Sequence, residues 1–298
     1  MYDQGDDSSL ISDEIVPWDS VPKTLDPPTG WLQNCNDRPW TSSYPVALNS
    51  SDFAAGFAAP LGVRNSQSGQ DLTPRAQRSI RMLSQELPEK LSFADVKACK
   101  LDTRCELADQ FVDDLVAAVR ARGGRGTVEQ AAAVLEQWDR RADGNSVGTL
   151  LFLHWASAVG ATGSAIGGFS TPLDDRRPLD TPRGFNDPSR AVEALECVAD
   201  EMLKQYGTLQ VAWGDALQFP TDVRRLSSTD GRQRLPGNGA PGALGAIRTI
   251  GPSKFGQVCS SKRTVAFDAP SMLITAALLE SLGRCGRASP WRHMVCSD

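Results

Sequence analysis

Apolar positions at helical spacing are concentrated in the middle of this chain. Thr73-Pro74 suits the N-cap and first position of a helix, and Ile80, Leu83 and Leu87 follow along one face until Pro88. Ser92 is placed to cap a short helix containing Phe93 and Val96. Between Asp102 and Arg122, residues Cys105, Ala108, Phe111, Val112, Leu115, Val116 and Val119 define a broad amphipathic face, which Gly123-Gly124 ends. Thr127 and Gln130 resemble a capping box ahead of a helix over 131–138. Gly148 to Val159 is almost wholly apolar, the mark of a buried helix. Asp187-Pro188-Ser189 opens another helix that runs to about Tyr206, with Val192, Leu195, Val198, Ala199, Met202 and Leu203 inward.

The flanks read differently. Residues 1–71 are rich in Pro, Gly, Ser, Asn and Asp, which excludes long helices, yet Trp18, Trp31, Trp40, Tyr44 and Phe53 punctuate them. Disordered segments are poor in aromatics, so this is expected to be an ordered, irregular segment with short strands. Residues 207–298 carry the Gly/Pro-rich loop 235–256, a candidate strand at Val258–Ala266 and a candidate helix at Ser271–Leu282. The pattern predicts an α+β unit: an irregular segment (1–71), a helical region (72–206), then glycine-rich loops and short strands (207–298).

Composition removes several classes. The chain is 40% hydrophobic and 22% charged, with a net charge of -5 spread along it. That leaves no basic stripe for nucleic acid, and no apolar run nears the ~18 residues that span a bilayer. The polar, acidic start has no secretory-signal pattern, so taken alone it suggests the cytoplasm. Seven irregularly spaced cysteines and two histidines do not make a disulfide framework or a zinc site, and Cys99 and Cys105 are expected to be buried thiols. His154, in an apolar helix, reads as a core or rim histidine, and neither histidine suits a Ser-His-Asp triad.

Three stretches could carry chemistry. Asn34 and Asn36, one residue apart, point the same way on a strand, and a side-chain amide can donate to a developing oxyanion; a plain Asx turn is the alternative. Arg75, Arg78 and Arg81 open a helix, where a guanidinium can orient a carbonyl or carboxylate, or simply be solvated. The loop Leu235–Gly245 lacks the strand-then-helix setting of a phosphate cradle and is expected to form tight turns.

The order of these pieces resembles the penicillin acylase family. Asp26-Pro27-Pro28-Thr29-Gly30-Trp31 followed by Asn34-Cys35-Asn36 looks like its Asn-x-Asn segment, and Leu72–Leu83 like its arginine-bearing helix. Asp102-Thr103-Arg104 with Glu106, Leu135 and Trp138-Asp139 with Asp143 and Gly148, Trp213-Gly214-Asp215, and Leu235–Gly245 follow in the family's order, over roughly residues 15–270. Beyond about Ala277 the resemblance stops. It implies the α-β-β-α sandwich of an N-terminal-nucleophile hydrolase, of which this chain would supply a helical arm and flanking strands. It also implies cleavage of linear amide bonds in penicillin-, acyl-homoserine-lactone- or lipopeptide-type substrates.

In that family a Ser, Thr or Cys at the start of the β subunit attacks, with its own amine as base. The oxyanion asparagine falls on Asn36, with Asn34 as its neighbour, and the arginine beside the nucleophile falls on Arg75, or on Arg78 if the register shifts. The attacking residue and α subunit are then expected to come from outside these 298 residues, leaving the chain inactive alone. No cofactor is needed for the chemistry; a structural calcium in the complete enzyme could involve Asp52. Relatives in the family are often periplasmic or secreted. The alternative is a non-catalytic helical remnant or binding module of the same fold.

Overall fold

The computed structural model describes residues 17–35, 37–48, 72–160, 163–174, 176–220, 234–236 and 238–248. Asn36, Asp52 and the elements expected at Val258–Ala266 and Ser271–Leu282 lie outside them.

The described residues are mostly helical. Helix α1 (Pro74–Arg81) begins as its sequence predicts: Pro74 is the first helical residue and the Thr73 hydroxyl accepts from the Ala76 amide. It runs on into a single π turn, Met82–Glu86. Helix α2 (Phe93–Lys100) has a complete capping box, because Asp95 returns the bond that Ser92 makes. Helices α3 (Glu106–Ala121), α4 (Thr127–Gln137), α5 (Thr149–Val159) and α6 (Pro188–Tyr206) follow, then the short α7 (Trp213–Ala216). Asp187 caps α6, and Gly207 ends it in the left-handed conformation. Strands β1 (Gln218–Pro220) and β2 (Arg234–Pro236) pair antiparallel, Phe219 opposite Leu235.

Two boundaries differ from expectation. Helix α3 starts at Glu106 rather than near Asp102, because the intervening backbone is extended. Arg104 forms an antiparallel bridge with Arg141, the Cys105 amide donates to the Arg140 carbonyl, and the Ala142 amide donates to the Thr103 carbonyl. A tertiary partner thus takes backbone groups that periodicity alone assigns to a helix. At α4 the cap is Gly126, with φ +67°, and Thr127 is the first helical residue with no capping bond.

The main core is built where α3 packs on α4 and α6, and α6 packs on α4 and α5. Phe111 stacks on Phe169 at 4.5 Å, and Trp138 and Phe152 lie 5.5 Å apart. Trp155, fully buried, donates its indole N–H to the Ala191 carbonyl at 3.1 Å. Gly148 permits the entry of α5: its φ is +118°, and a Cβ there would lie 2.5 Å from Cγ of Trp138. Gly148→Ala therefore combines backbone strain with overpacking, and is expected to destabilise by about 2–5 kcal/mol, read as a lower urea midpoint at unchanged slope.

A smaller core lies beside it. Trp31, Cys35, Leu72, Ala76, Ile80, Met82, Cys99, Leu179 and Ile247 form a contiguous buried cluster. It joins the Asn-x-Asn segment to the inner face of α1. Cys35, Cys99 and Cys105 are buried free thiols, and Cys197 is an exposed one. None of the described helices is long and apolar enough to cross a membrane.

Candidate active site

The segment from Trp31 to Cys35 alternates as a strand does. Trp31, Gln33 and Cys35 are buried, whereas Asn34 is exposed. Gln33 anchors it: its amide donates to the Ser42 carbonyl at 2.7 Å, and its side-chain amide donates to the Thr41 carbonyl at 2.8 Å and to Asp37 at 3.1 Å. The Thr41 hydroxyl lies 3.2 Å from the same Asp37 oxygen. Arg38 rests its guanidinium over the Trp40 ring, 5.3 Å from the centroid. Asp37 is thereby tied down on one side of position 36 and Cys35 on the other.

Cys35 is held by α1. Arg75, only 8% exposed, donates from Nη2 to the Cys35 carbonyl at 2.5 Å. The Cys35 thiol in turn approaches the Arg75 carbonyl at 3.7 Å. A charged guanidinium bonded to a main-chain carbonyl in a buried setting is among the stronger clamps available to a loop. Burial, aided by the nearby Asp37 charge, pushes the Cys35 thiol up to about 12, so it is an inert packing group rather than a nucleophile.

Asp37 titrates unusually. Burial raises its carboxyl from the usual range to about 6, against the bonds from Gln33 and Thr41 and the Arg75 charge. The folded state then holds this proton more tightly than the unfolded chain does. Between about pH 4 and 6 the native form is the more protonated, so stability falls as pH rises through that window and levels off above it. Asp37→Asn is expected to flatten the slope there, a difference on the order of 1–3 kcal/mol, measured by urea titration at pH 4, 5, 6 and 7.

Behind Arg75 the same helix carries two more arginines, Arg78 buried and Arg81 half-buried. Arg78 is 3% exposed; its Nε bonds Asp102 at 2.7 Å, and its two terminal nitrogens grip Glu86 at 2.6 and 2.7 Å. Burial works against that charge, but the two carboxylates overcome it and raise the group further. Arg81 bonds Glu106, wholly buried at the start of α3, at 2.8 Å, and also donates to the Leu179 carbonyl. Gln77 donates to the carbonyls of Pro178 and Thr181 at 2.6 Å each. Helix α1 is thus fixed by polar bonds on several sides.

The other motifs converge on this scaffold. Asp102 also accepts from Arg141, and its carbonyl accepts from the Arg248 amide. Thr103 donates to Asp143, and Asp139 accepts from the Arg141 amide and the Ser146 hydroxyl. Trp213 donates its indole N–H to the Gly239 carbonyl at 2.7 Å, and the Gly239 amide donates to Ala142. Gly245, with φ +88°, passes so close to α3 that a Cβ would lie 2.7 Å from Cβ of Glu106. These stretches brace the platform that presents Arg75 to Cys35.

Among the residues singled out from sequence, Arg75 is thus placed against the Asn-x-Asn segment and Arg78 is not. The fallback residue belongs to the ion-pair network instead. Asn34 is exposed, and Asn36 lies outside the described residues. His154 is partly buried on α5, and burial, opposed by Glu201, lowers its affinity for a proton. Sequence reading missed the supporting set Gln33, Asp37 and Thr41. Its only trace was a cluster of polar residues in a segment otherwise anchored by tryptophans. Among the described residues no group of His, Cys, Asp or Glu is arranged to hold a metal ion.

A buried loop clamped to an arginine-bearing helix, braced by the ordered motifs just described, is the setting in which family membership can be judged. A family model described as penicillin amidase matches residues 2–278. The chain belongs to the penicillin amidase family, whose activity is the hydrolysis of acyl amides and whose fold is that of the N-terminal-nucleophile hydrolases. The matched region ends one residue past Ala277, where the resemblance of individual motifs also stops.

Proposed function

We propose that this chain supplies the oxyanion-stabilising part of an acylase that cleaves linear amide bonds. In this reading Asn36 donates its side-chain amide to the carbonyl oxygen on which charge develops. Arg75 fixes the peptide immediately before it, through the bond to Cys35, so that the donor is oriented before substrate arrives. The attacking hydroxyl or thiol belongs to a residue outside these 298, with its own α-amine as base, and the substrate is an acyl amide of the penicillin, acyl-homoserine-lactone or lipopeptide kind. Residues 72–206 act as the helical arm of the α-β-β-α sandwich. No cofactor takes part in bond cleavage.

The observation that carries this reading is the Arg75–Cys35 clamp within a chain that the family model matches almost throughout. Guanidinium and loop are 40 residues apart in sequence and meet in a buried contact. The test is hydrolysis of chromogenic acyl-anilides by the chain alone and with a separately supplied polypeptide bearing an N-terminal serine. Turnover is expected only in the second case, and only with Asn36 intact. Turnover by the chain alone, or turnover indifferent to Asn36→Ala, contradicts the proposal; no turnover with any acyl chain favours a non-catalytic remnant.

A further inference from the structure

One turn along α1 from Arg75, an open cavity of about 430 Å³ is lined by Arg78, Arg81, Arg104, Arg141 and Arg183, against two carboxylates. The amide chemistry proposed above does not use it. Two of its arginines, Arg104 and Arg141, are directly opposite each other in the antiparallel bridge, an arrangement of like charges that is unfavourable unless compensated. Part of the compensation is internal. Glu86 and Asp102 serve Arg78, Glu106 serves Arg81, Asp109 serves Arg104, and Asp102 is shared with Arg141. Among the described residues the five lining guanidinium groups share these four carboxylates as direct ion-pair partners, and Arg183 has no ion pair. Arg140 pairs with Asp113 and also approaches Asp109 at 3.4 Å.

The donor inventory is more telling than the charge. Arg78 has every nitrogen engaged. Arg104 uses Nε and Nη2 on Asp109, and its Nη1 has no acceptor among the described residues. Arg141 spends only Nη1, on Asp102, which leaves Nε and Nη2. Arg183 uses Nε and Nη1 on main-chain carbonyls, which leaves Nη2. Among the described residues, three guanidinium groups thus keep N–H donors without a protein acceptor at one cavity. They come from three separate places in the chain, and Arg104 and Arg141 are 34% and 41% exposed.

We infer that this cavity is a binding site for a phosphate group. A planar carboxylate is satisfied by one guanidinium fork, whereas the free fork of Arg141 together with one terminal nitrogen each from Arg104 and Arg183 matches an oxyanion with three or more acceptor oxygens. Arg183, whose charge has no ion-pair partner among the described residues, supplies the attraction, and the volume leaves space for a small organic group attached to the phosphate.

Titration calorimetry with inorganic phosphate at constant ionic strength tests this, with acetate as the planar-carboxylate arm. Saturable one-to-one binding of phosphate, with acetate at least tenfold weaker, is the expected result. Arg141→Gln and Arg104→Gln should each weaken phosphate at least tenfold, while Arg120→Gln, whose partner is Glu136 at the surface, should leave it unchanged. In the unaltered chain, phosphate should protect Arg104, Arg141 and Arg183 from modification by phenylglyoxal, read by mass spectrometry; this arm needs no variant to fold. Absence of saturable heat, acetate binding as tightly as phosphate, retained affinity in a folded Arg141→Gln protein, or modification indifferent to phosphate each overturns the assignment.

Discussion

Replacing Arg78 by methionine is expected to destabilise the chain by about 3–5 kcal/mol, because it strips a buried ion pair of one partner and leaves the others in place. Asp102 is only 9% exposed and would keep a single, longer bond, to Arg141 at 3.2 Å; Glu86 would lose its bidentate partner altogether. A loss of that size is a large share of the ~5–15 kcal/mol that holds a typical domain folded. Urea unfolding followed by circular dichroism measures it directly. Changing Glu86 and Asp102 to isosteric amides in the same chain should recover part of the loss, since the cost lies in unpaired charge rather than lost volume. The pH response adds a second check. The Arg78 bond holds the Glu86 carboxyl below its ordinary range, so its contribution is present above the unfolded value and lost as pH falls through the folded one. This is opposite in sign to Asp37, and Arg78→Met should remove it.

The largest effect on activity is expected at Asn36. In the assembled acylase, Asn36→Ala should lower kcat by about 10²–10³ with little change in KM, the signature of a donor that matters mainly in the transition state. Arg75→Ala should lower kcat in the same direction by releasing the Cys35 carbonyl, and Arg75→Lys should not restore it, because a point charge on a flexible stem cannot reproduce the guanidinium fork. Arg75→Ala also leaves a buried carbonyl without its donor, a stability cost of about 1–3 kcal/mol visible in the chain alone. Unaltered kcat in both Asn36→Ala and Arg75→Ala would refute the oxyanion role.

The helices were legible wherever the deciding interactions are local. Thr73 and Pro74, Ser92 with Asp95, and Asp187 and Gly207 each mark a boundary through bonds to residues within four positions, so spacing alone suffices. Where a distant partner competes, spacing misleads. Residues 102–105 carry a helical pattern, yet their backbone groups are taken by Arg140, Ala142 and Arg248. The three arginines of α1 show the same limit. At intervals of three they look equivalent, and spacing alone favoured a solvated face. Their different tasks come from what the fold brings opposite each: a carbonyl for Arg75, two carboxylates for Arg78, and Glu106 with a carbonyl for Arg81.

The amino-acid order by itself determined which segments become helices, where most of them stop, and the succession of motifs that places the chain in its family, because each of these depends on near neighbours or on residue identity. Tertiary structure alone decided that Arg75 rather than Arg78 meets the Asn-x-Asn segment, and that Arg104 and Arg141 share one cavity. Those outcomes join residues tens of positions apart, and burial and charge pairing exist only once the intervening chain has folded.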